Sequence, residues 1–183
     1  MKTTLLNDSF LLLTELGHGA AGTVYKAALT KDAPYAAKGS HVAIKIFNPW
    51  VLQERGHAQR IERELRVSCS VHSPHLVRTH AVGTDGDFVF LVMQLLEGPT
   101  LTQWMKSTPQ PAFDIFIGLA KCLFGALAAL HEHEVIHRDV KPDNIIMTSN
   151  GAVLMDLGVI KPLATDSDIT FSGSTQKCVP ELK

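Results

Sequence analysis

Hydrophobic and polar positions divide this chain into two halves. Between residues 10 and 92, short runs rich in β-branched and aromatic residues dominate, at 10–15, 22–28, 41–47, 76–82 and 88–93. Turn-rich stretches separate them, notably 31–40 and 83–87. One helical segment interrupts, at about 53–71, where Ile61, Leu65 and Cys69 recur at i, i+4 spacing. After Gly98-Pro99 the period lengthens, which predicts a short helix over 101–106 and a long one over 111–132. Residues 152–155 read as one more short strand. A mostly β half followed by a helical half predicts an α+β fold with a cleft at the junction, near 94–98.

The run 113–130 is almost wholly apolar and barely reaches membrane-spanning length, but Asp114 and Lys121 interrupt it. It is expected to be a buried central helix, not a membrane segment. The first eight residues have no long apolar core and no small-residue cleavage site, so no signal peptide is expected.

A length of 183 residues suits one domain, with room for two lobes. Seventeen basic residues face 18 acidic ones, for a formal charge of −1, which gives no reason to expect a nucleic-acid-binding face. Three widely spaced cysteines, Cys69, Cys122 and Cys178, argue against a disulfide framework and for a reducing, cytoplasmic setting.

The chemistry concentrates in His137-Arg138-Asp139-Val140-Lys141-Pro142-Asp143-Asn144. A carboxylate to orient a hydroxyl, a cation for phosphate charge and an oxygen ligand for Mg²⁺ together suit phosphoryl transfer. An overlapping pattern, His133-Glu134-Val135-Ile136-His137, spells the zinc-protease motif H-E-x-x-H. That reading needs both histidines on one face of a continuous helix. Val135-Ile136 and Pro142 predict that the helix ends before His137, which disfavours it.

Three further patterns surround this run. Gly17, Gly19 and Gly22 form G-x-G-x-x-G, followed by the strand-favouring Thr23-Val24-Tyr25 instead of a helix. That context suits a glycine-rich hairpin whose backbone approaches phosphates. Lys45 sits in the apolar run His41-Val42-Ala43-Ile44-Lys45-Ile46-Phe47, where a lysine is costly unless paired. Glu62 and Glu64 both flank the apolar stripe of the intervening helix and can supply the partner. Downstream, Asp156-Leu157-Gly158 closes a short strand.

Together these motifs resemble, in order, those of the Hanks-type protein kinases: G-x-G-x-x-G-x-V, V-A-I-K, H-R-D-L-x-x-x-N with Val140 for Leu, and D-F-G with Leu157 for Phe. Val179-Pro180-Glu181 resembles the closing A-P-E. The resemblance runs from about 10 to 181. It implies a two-lobed fold: an N-lobe over 8–93 with a five-stranded antiparallel sheet and one helix, a hinge at 94–98, and a partial helical C-lobe over 99–183. The family continues into further helices beyond that point, so the chain reads as an incomplete domain.

Site roles follow from the same resemblance. Asp139 would be the base, Lys141 would offset phosphoryl charge, and Asn144 and Asp156 would hold Mg²⁺. Lys45, paired with Glu64, would position ATP under the loop of Gly17, Gly19 and Gly22. Adenine would lie between Leu16, Val24 and Ala43 above and Ile146 below. It would bond to the backbone from Gln94 to Leu96, with Met93 as gatekeeper. Lys141, two residues after Asp139, is typical of the Ser/Thr class, which implies protein substrates with Ser or Thr acceptors.

Arg138 resembles the arginine that pairs with a phosphorylated activation loop, for which Thr170 is the first candidate and Ser167, Ser172 and Thr175 are alternatives. Ser68 and Thr79 stand where the family usually stacks apolar side chains. The competing function class is a nucleotide-binding or interaction module on a kinase scaffold, without turnover.

Overall fold

The computed structural model describes residues 4–49, 68–108 and 110–156. Six strands form one antiparallel sheet: β1 (Thr4–Leu6), β2 (Phe10–Gly19), β3 (Gly22–Leu29), β4 (His41–Phe47), β5 (Thr79–Asp85) and β6 (Phe88–Met93). Their order is β1-β2-β3-β4-β6-β5. All five expected strands are present, and β1 adds a sixth. Its hairpin turn uses Asn7 and Asp8 with φ of 46° and 49°, a conformation that Asn and Asp tolerate better than most residues. The predicted 76–82 strand begins later, at Thr79, and runs to Asp85.

Register sorts the side chains onto two faces. Val24 pairs with Lys45 and Lys45 with Leu91, while Ala43 pairs with Met93. Partners directly opposite share a face, so these residues look toward the cleft with Phe47. The alternate positions, Val42, Ile44, Phe90 and Val92, build a second core with Leu6, Phe10, Ala27 and Leu29. The 31–40 stretch covers that outer face: Ala33, Tyr35 and Ala36 pack on it, and the Tyr35 ring stacks on His80 at 4.7 Å.

Beyond the sheet lie α1 (Leu101–Ser107), α2 (Phe113–Glu132) and a two-stranded hairpin of β7 (Ile145–Thr148) and β8 (Gly151–Leu154). Thr100 caps α1 reciprocally: its hydroxyl accepts from Gln103 N–H at 3.1 Å, and the Gln103 side chain accepts from Thr100 N–H at 3.0 Å. The hinge reaches α1 through Gly98, at φ 141°. A Cβ there would stand 2.1 Å from the Met147 carbonyl oxygen, so only glycine lets the hinge lie on β7.

The expected burial of the long helix holds on one stripe only. Ala126 and Leu130 are fully buried and, with Leu123 and Leu127, pack into a third core with Leu76, Leu101, Ile145 and Leu154. Phe113, Phe116, Ile117 and Phe124 are exposed, with Phe113 at 74% and Phe124 at 70%. By length and composition α2 is also long and apolar enough to cross a bilayer. The stripe against the hairpin is built for packing, and the opposite face is uncovered among the described residues.

Candidate active site

The catalytic run is shaped by what ends α2. His133 and Val135 donate their N–H groups to the Leu130 carbonyl at 3.0 and 2.9 Å, and Glu134 turns at φ 60°. The helix stops at Glu132, so His133 and His137 do not share a helical face. His133 instead bonds the Ala129 carbonyl through Nδ1, and no metal-holding group of His, Cys, Asp and Glu occurs among the described residues. The H-E-x-x-H spelling carries no zinc site here.

His137, only 1% exposed, organises the run from beneath. Asp139 N–H donates to its Nδ1 at 3.3 Å, so Nε2 carries the proton and donates to the Met155 carbonyl at 3.0 Å. Met155 N–H in turn donates to the Asn144 carbonyl at 2.8 Å. Both backbone groups of Met155 are thus tied to the loop, immediately before Asp156. Arg138 and Asp156 adopt φ of 64° and 58°, the left-handed region that non-glycine residues enter only when their surroundings hold them there.

Asp139, Lys141 and Asn144 converge. Lys141 Nζ lies 2.9 Å from Asp139 Oδ2, and Asn144 Nδ2 donates to that same oxygen at 3.0 Å and to the Asp139 carbonyl at 2.8 Å. The short 3-10 turn Pro142–Asn144 fixes the spacing, with Pro142 at its first position, where a missing N–H costs nothing. The hydrogen bond from Lys141 to Asp139 holds the lysine above its ordinary pKa, so it stays a cation at neutral pH. Asn144 is buried and spends its amide nitrogen on Asp139, which turns its oxygen toward other partners.

Across the cleft, Lys45 is buried at 7% exposure and its ammonium donates to Asp156 Oδ1. This pairing was not anticipated. Glu64, the expected partner, lies outside the described residues, as do Glu62, Leu157, Gly158, Thr170, Ser167, Ser172, Thr175 and the 179–181 segment. Two further backbone bonds fasten the sheet side to the hairpin: Leu154 N–H to the His75 carbonyl at 2.8 Å, and Val77 N–H to the Leu154 carbonyl at 2.9 Å.

Between the sheet and the hairpin, the nucleotide candidates fall around one cleft. Val24, Ala43 and Met93 lie on its sheet wall with Leu95 and Leu96, and Val153 and Met155 join the same cluster from the hairpin side. Ile146 is buried, its Cγ2 3.4 Å from where a Gly98 Cβ would stand. Leu16 is 52% exposed and does not join that cluster. Gln94 N–H donates to the Arg78 carbonyl at 2.9 Å, so Gln94 can offer a nucleotide base only its carbonyl.

The glycines divide by cause. A Cβ at Gly17 or Gly19 would meet nothing within 4 Å, so packing does not demand glycine at either position. A Cβ at Gly22 would stand 2.1 Å from the Ile46 carbonyl oxygen, so that glycine is demanded by the sheet itself. Thr79, 4% exposed, lines a small recess behind Met93 with Lys45, Val77 and Asp156.

Comparison with known proteins identifies the family. The family model for the protein kinase domain matches residues 10–182. Serine/threonine-protein kinase PknL of Mycobacterium tuberculosis is 31% identical over 176 residues, 94% of this chain and 42% of PknL. Serine/threonine-protein kinase pkn2 of Myxococcus xanthus is 32% identical over 172 residues, 92% of this chain and 20% of pkn2. Among solved structures, the M. tuberculosis PknI kinase domain superposes with a TM-score of 0.71 at 24% identity, over 88% of this chain and 63% of that one. The chain therefore spans less than half the length of these two curated relatives.

Proposed function

The chain belongs to the protein kinase family, and from that premise we propose that it transfers the γ-phosphoryl group of ATP to serine or threonine hydroxyls of proteins. The observation that carries this is the convergence of Lys141 and Asn144 on one carboxylate oxygen of Asp139.

In this reading Asp139 orients the acceptor hydroxyl and takes its proton as the oxygen attacks the γ-phosphorus, while the bond from that phosphorus to the β–γ bridging oxygen breaks and ADP leaves. Its carboxylate is held in place by two donors instead of by water, so little reorganisation is needed at the moment of reaction. Lys141 remains charged and offsets the negative charge on the transferring group. Lys45 draws the α- and β-phosphates toward the sheet wall, and Gly17 and Gly19 allow the loop backbone to close over them. The donor set fits Mg²⁺: the Asp156 carboxylate and the Asn144 amide oxygen are hard oxygen ligands, and both residues flank Met155's locked backbone. Mg²⁺, when bound, neutralises charge on the β- and γ-phosphates.

A second reading, a nucleotide-binding module without turnover, is favoured by one observation: Lys45 is engaged with Asp156, the intended metal ligand. The test is incubation with γ-labelled ATP, Mg²⁺ and a mixture of Ser- and Thr-containing peptides. Label on phosphoserine or phosphothreonine supports transfer. Thermal stabilisation by ATP with no label supports the module.

A further inference from the structure

Glu15 and His18 stand three positions apart on β2, where a regular strand would point them to opposite faces of the sheet. They meet nonetheless. His18 Nδ1 lies 3.0 Å from Glu15 Oε1, and since a carboxylate only accepts, the imidazole donates. The register explains how. Glu15 stands opposite Tyr25, Gly17 opposite Val24 and His18 opposite Thr23, so Leu16 is an extra residue with no partner on β3. Two residues of β2 there oppose one of β3, which is a β-bulge.

The bulge decides which positions look into the cleft. Val24 pairs with Lys45 and keeps Gly17 on the cleft-facing side. Tyr25 and Thr23 pair with Ile44 and Ile46 and keep Glu15 and His18 on the other face. Without the extra residue, Leu16 would fall opposite Val24, Gly17 opposite Thr23 and His18 opposite Gly22. Each position past the slip would change face. An imidazole would then stand on the cleft side of the turn, and the glycine that leaves that side open would face outward.

The clasp between Glu15 and His18 exists only in the bulged register, because straightening the strand returns the two side chains to opposite faces. It therefore stabilises that register alone. Side-chain packing adds little there, since every residue from Leu13 to Ala20 is exposed and a Cβ at Gly17 or Gly19 would touch nothing.

We propose that Glu15 and His18 are positioning residues for the nucleotide, their hydrogen bond holding the Leu16 bulge and with it the face that the glycine-rich loop turns to the phosphates. This rests on the reading of that loop as part of a nucleotide site. Neither side chain faces the cleft, so both act through the backbone of residues 16–19. A loop that spends only a fraction of its time in the competent register binds with an affinity reduced by that fraction.

The test measures the dissociation constant of ATP with Mg²⁺ by calorimetric titration of the full chain, as wild type, Glu15→Ala, His18→Ala, the double variant and Glu15→Gln. Backbone NOEs are recorded on the same proteins without nucleotide. Each alanine variant should bind ATP about three- to fivefold more weakly, the range open to a pair whose side chains are 82% and 49% exposed. The double variant should be no weaker than either single, because one hydrogen bond can be broken only once. Glu15→Gln should bind like wild type, since its amide oxygen still accepts from His18. Without nucleotide, the His18–Thr23 contact of wild type should give way in part to His18–Gly22 in the alanine variants. Unchanged ATP affinity in both alanine variants, additive losses in the double variant, or a His18–Thr23 contact kept in full would each overturn the proposal while leaving the nucleotide site standing. A wild-type chain that binds no ATP would overturn the site and the proposal together.

Discussion

Lys45 and Asp156, 111 positions apart in the sequence, form an ion pair across the cleft between the sheet and the β7–β8 hairpin. In the proposed function this pair joins the cation assigned to nucleotide phosphates to the carboxylate assigned to the metal, so nucleotide entry would exchange one partner for another. The two ends are not equivalent. The Lys45 side chain is 9% exposed and that of Asp156 is 36% exposed.

This asymmetry predicts unequal effects on stability. Asp156→Asn leaves a buried ammonium with a weaker partner and should cost about 1–2 kcal/mol, less than a fully buried pair because Asp156 retains solvent. Lys45→Met puts an apolar chain of similar length into an apolar strand and should stay within about 1 kcal/mol of wild type. Chemical denaturation of both variants checks this, and equal losses would contradict it. Both variants should lose Mg²⁺-dependent ATP affinity.

Gly22 and Gly19 should separate folding from binding. Gly22→Ala forces a methyl group against the Ile46 carbonyl and should destabilise by about 2 kcal/mol or more. Gly19→Ala has open space and should change stability by no more than about 0.5 kcal/mol while weakening ATP binding. Melting curves with and without ATP distinguish the two. A Gly22→Ala protein that melts like wild type would refute the sheet-packing role.

Acid should loosen the outer face of the sheet. Burial, and secondarily Arg78, lower the His80 pKa from 6.5. In the unfolded chain that imidazole takes a proton as pH falls through 6.5, while the folded protein resists it. The unfolded state then binds more protons, and stability that is intact above that pH is lost below it. His80→Phe should flatten the dependence between about pH 7.5 and 5 without losing the stack on Tyr35. Identical stability–pH curves for the two proteins would show that another group is responsible.

Much of the fold was legible because alternation is a local signal. The five sheet strands, the two helices and the end of α2 before His137 could all be read from apolar spacing and from Val135, Ile136 and Pro142. Strand β1 was not, because three residues carry too little pattern and its evidence is the pairing of Leu6 with Phe10. Strand β7 hid behind the motif that precedes it, although Ile145-Ile146-Met147 is an apolar run. The approach of Asp139, Lys141 and Asn144 was implied by their spacing, whereas the Lys45–Asp156 pair depends on long-range geometry that no local pattern encodes. The role of Met155 was equally invisible, since it acts through backbone groups that every residue but proline possesses. The face of α2 that is uncovered among the described residues carries Phe113, Phe116, Ile117 and Phe124, and composition does not say what lies against it.

The most direct test compares the initial rate of phosphate transfer from ATP to a Ser/Thr peptide for the wild-type chain and for Asp139→Asn at matched nucleotide occupancy. If Asp139 is the base, wild type transfers phosphate and the variant is slower by about 10²–10⁴-fold while ATP binding is retained. Equal rates in the two proteins, or no transfer by wild type with ATP bound, would contradict the account.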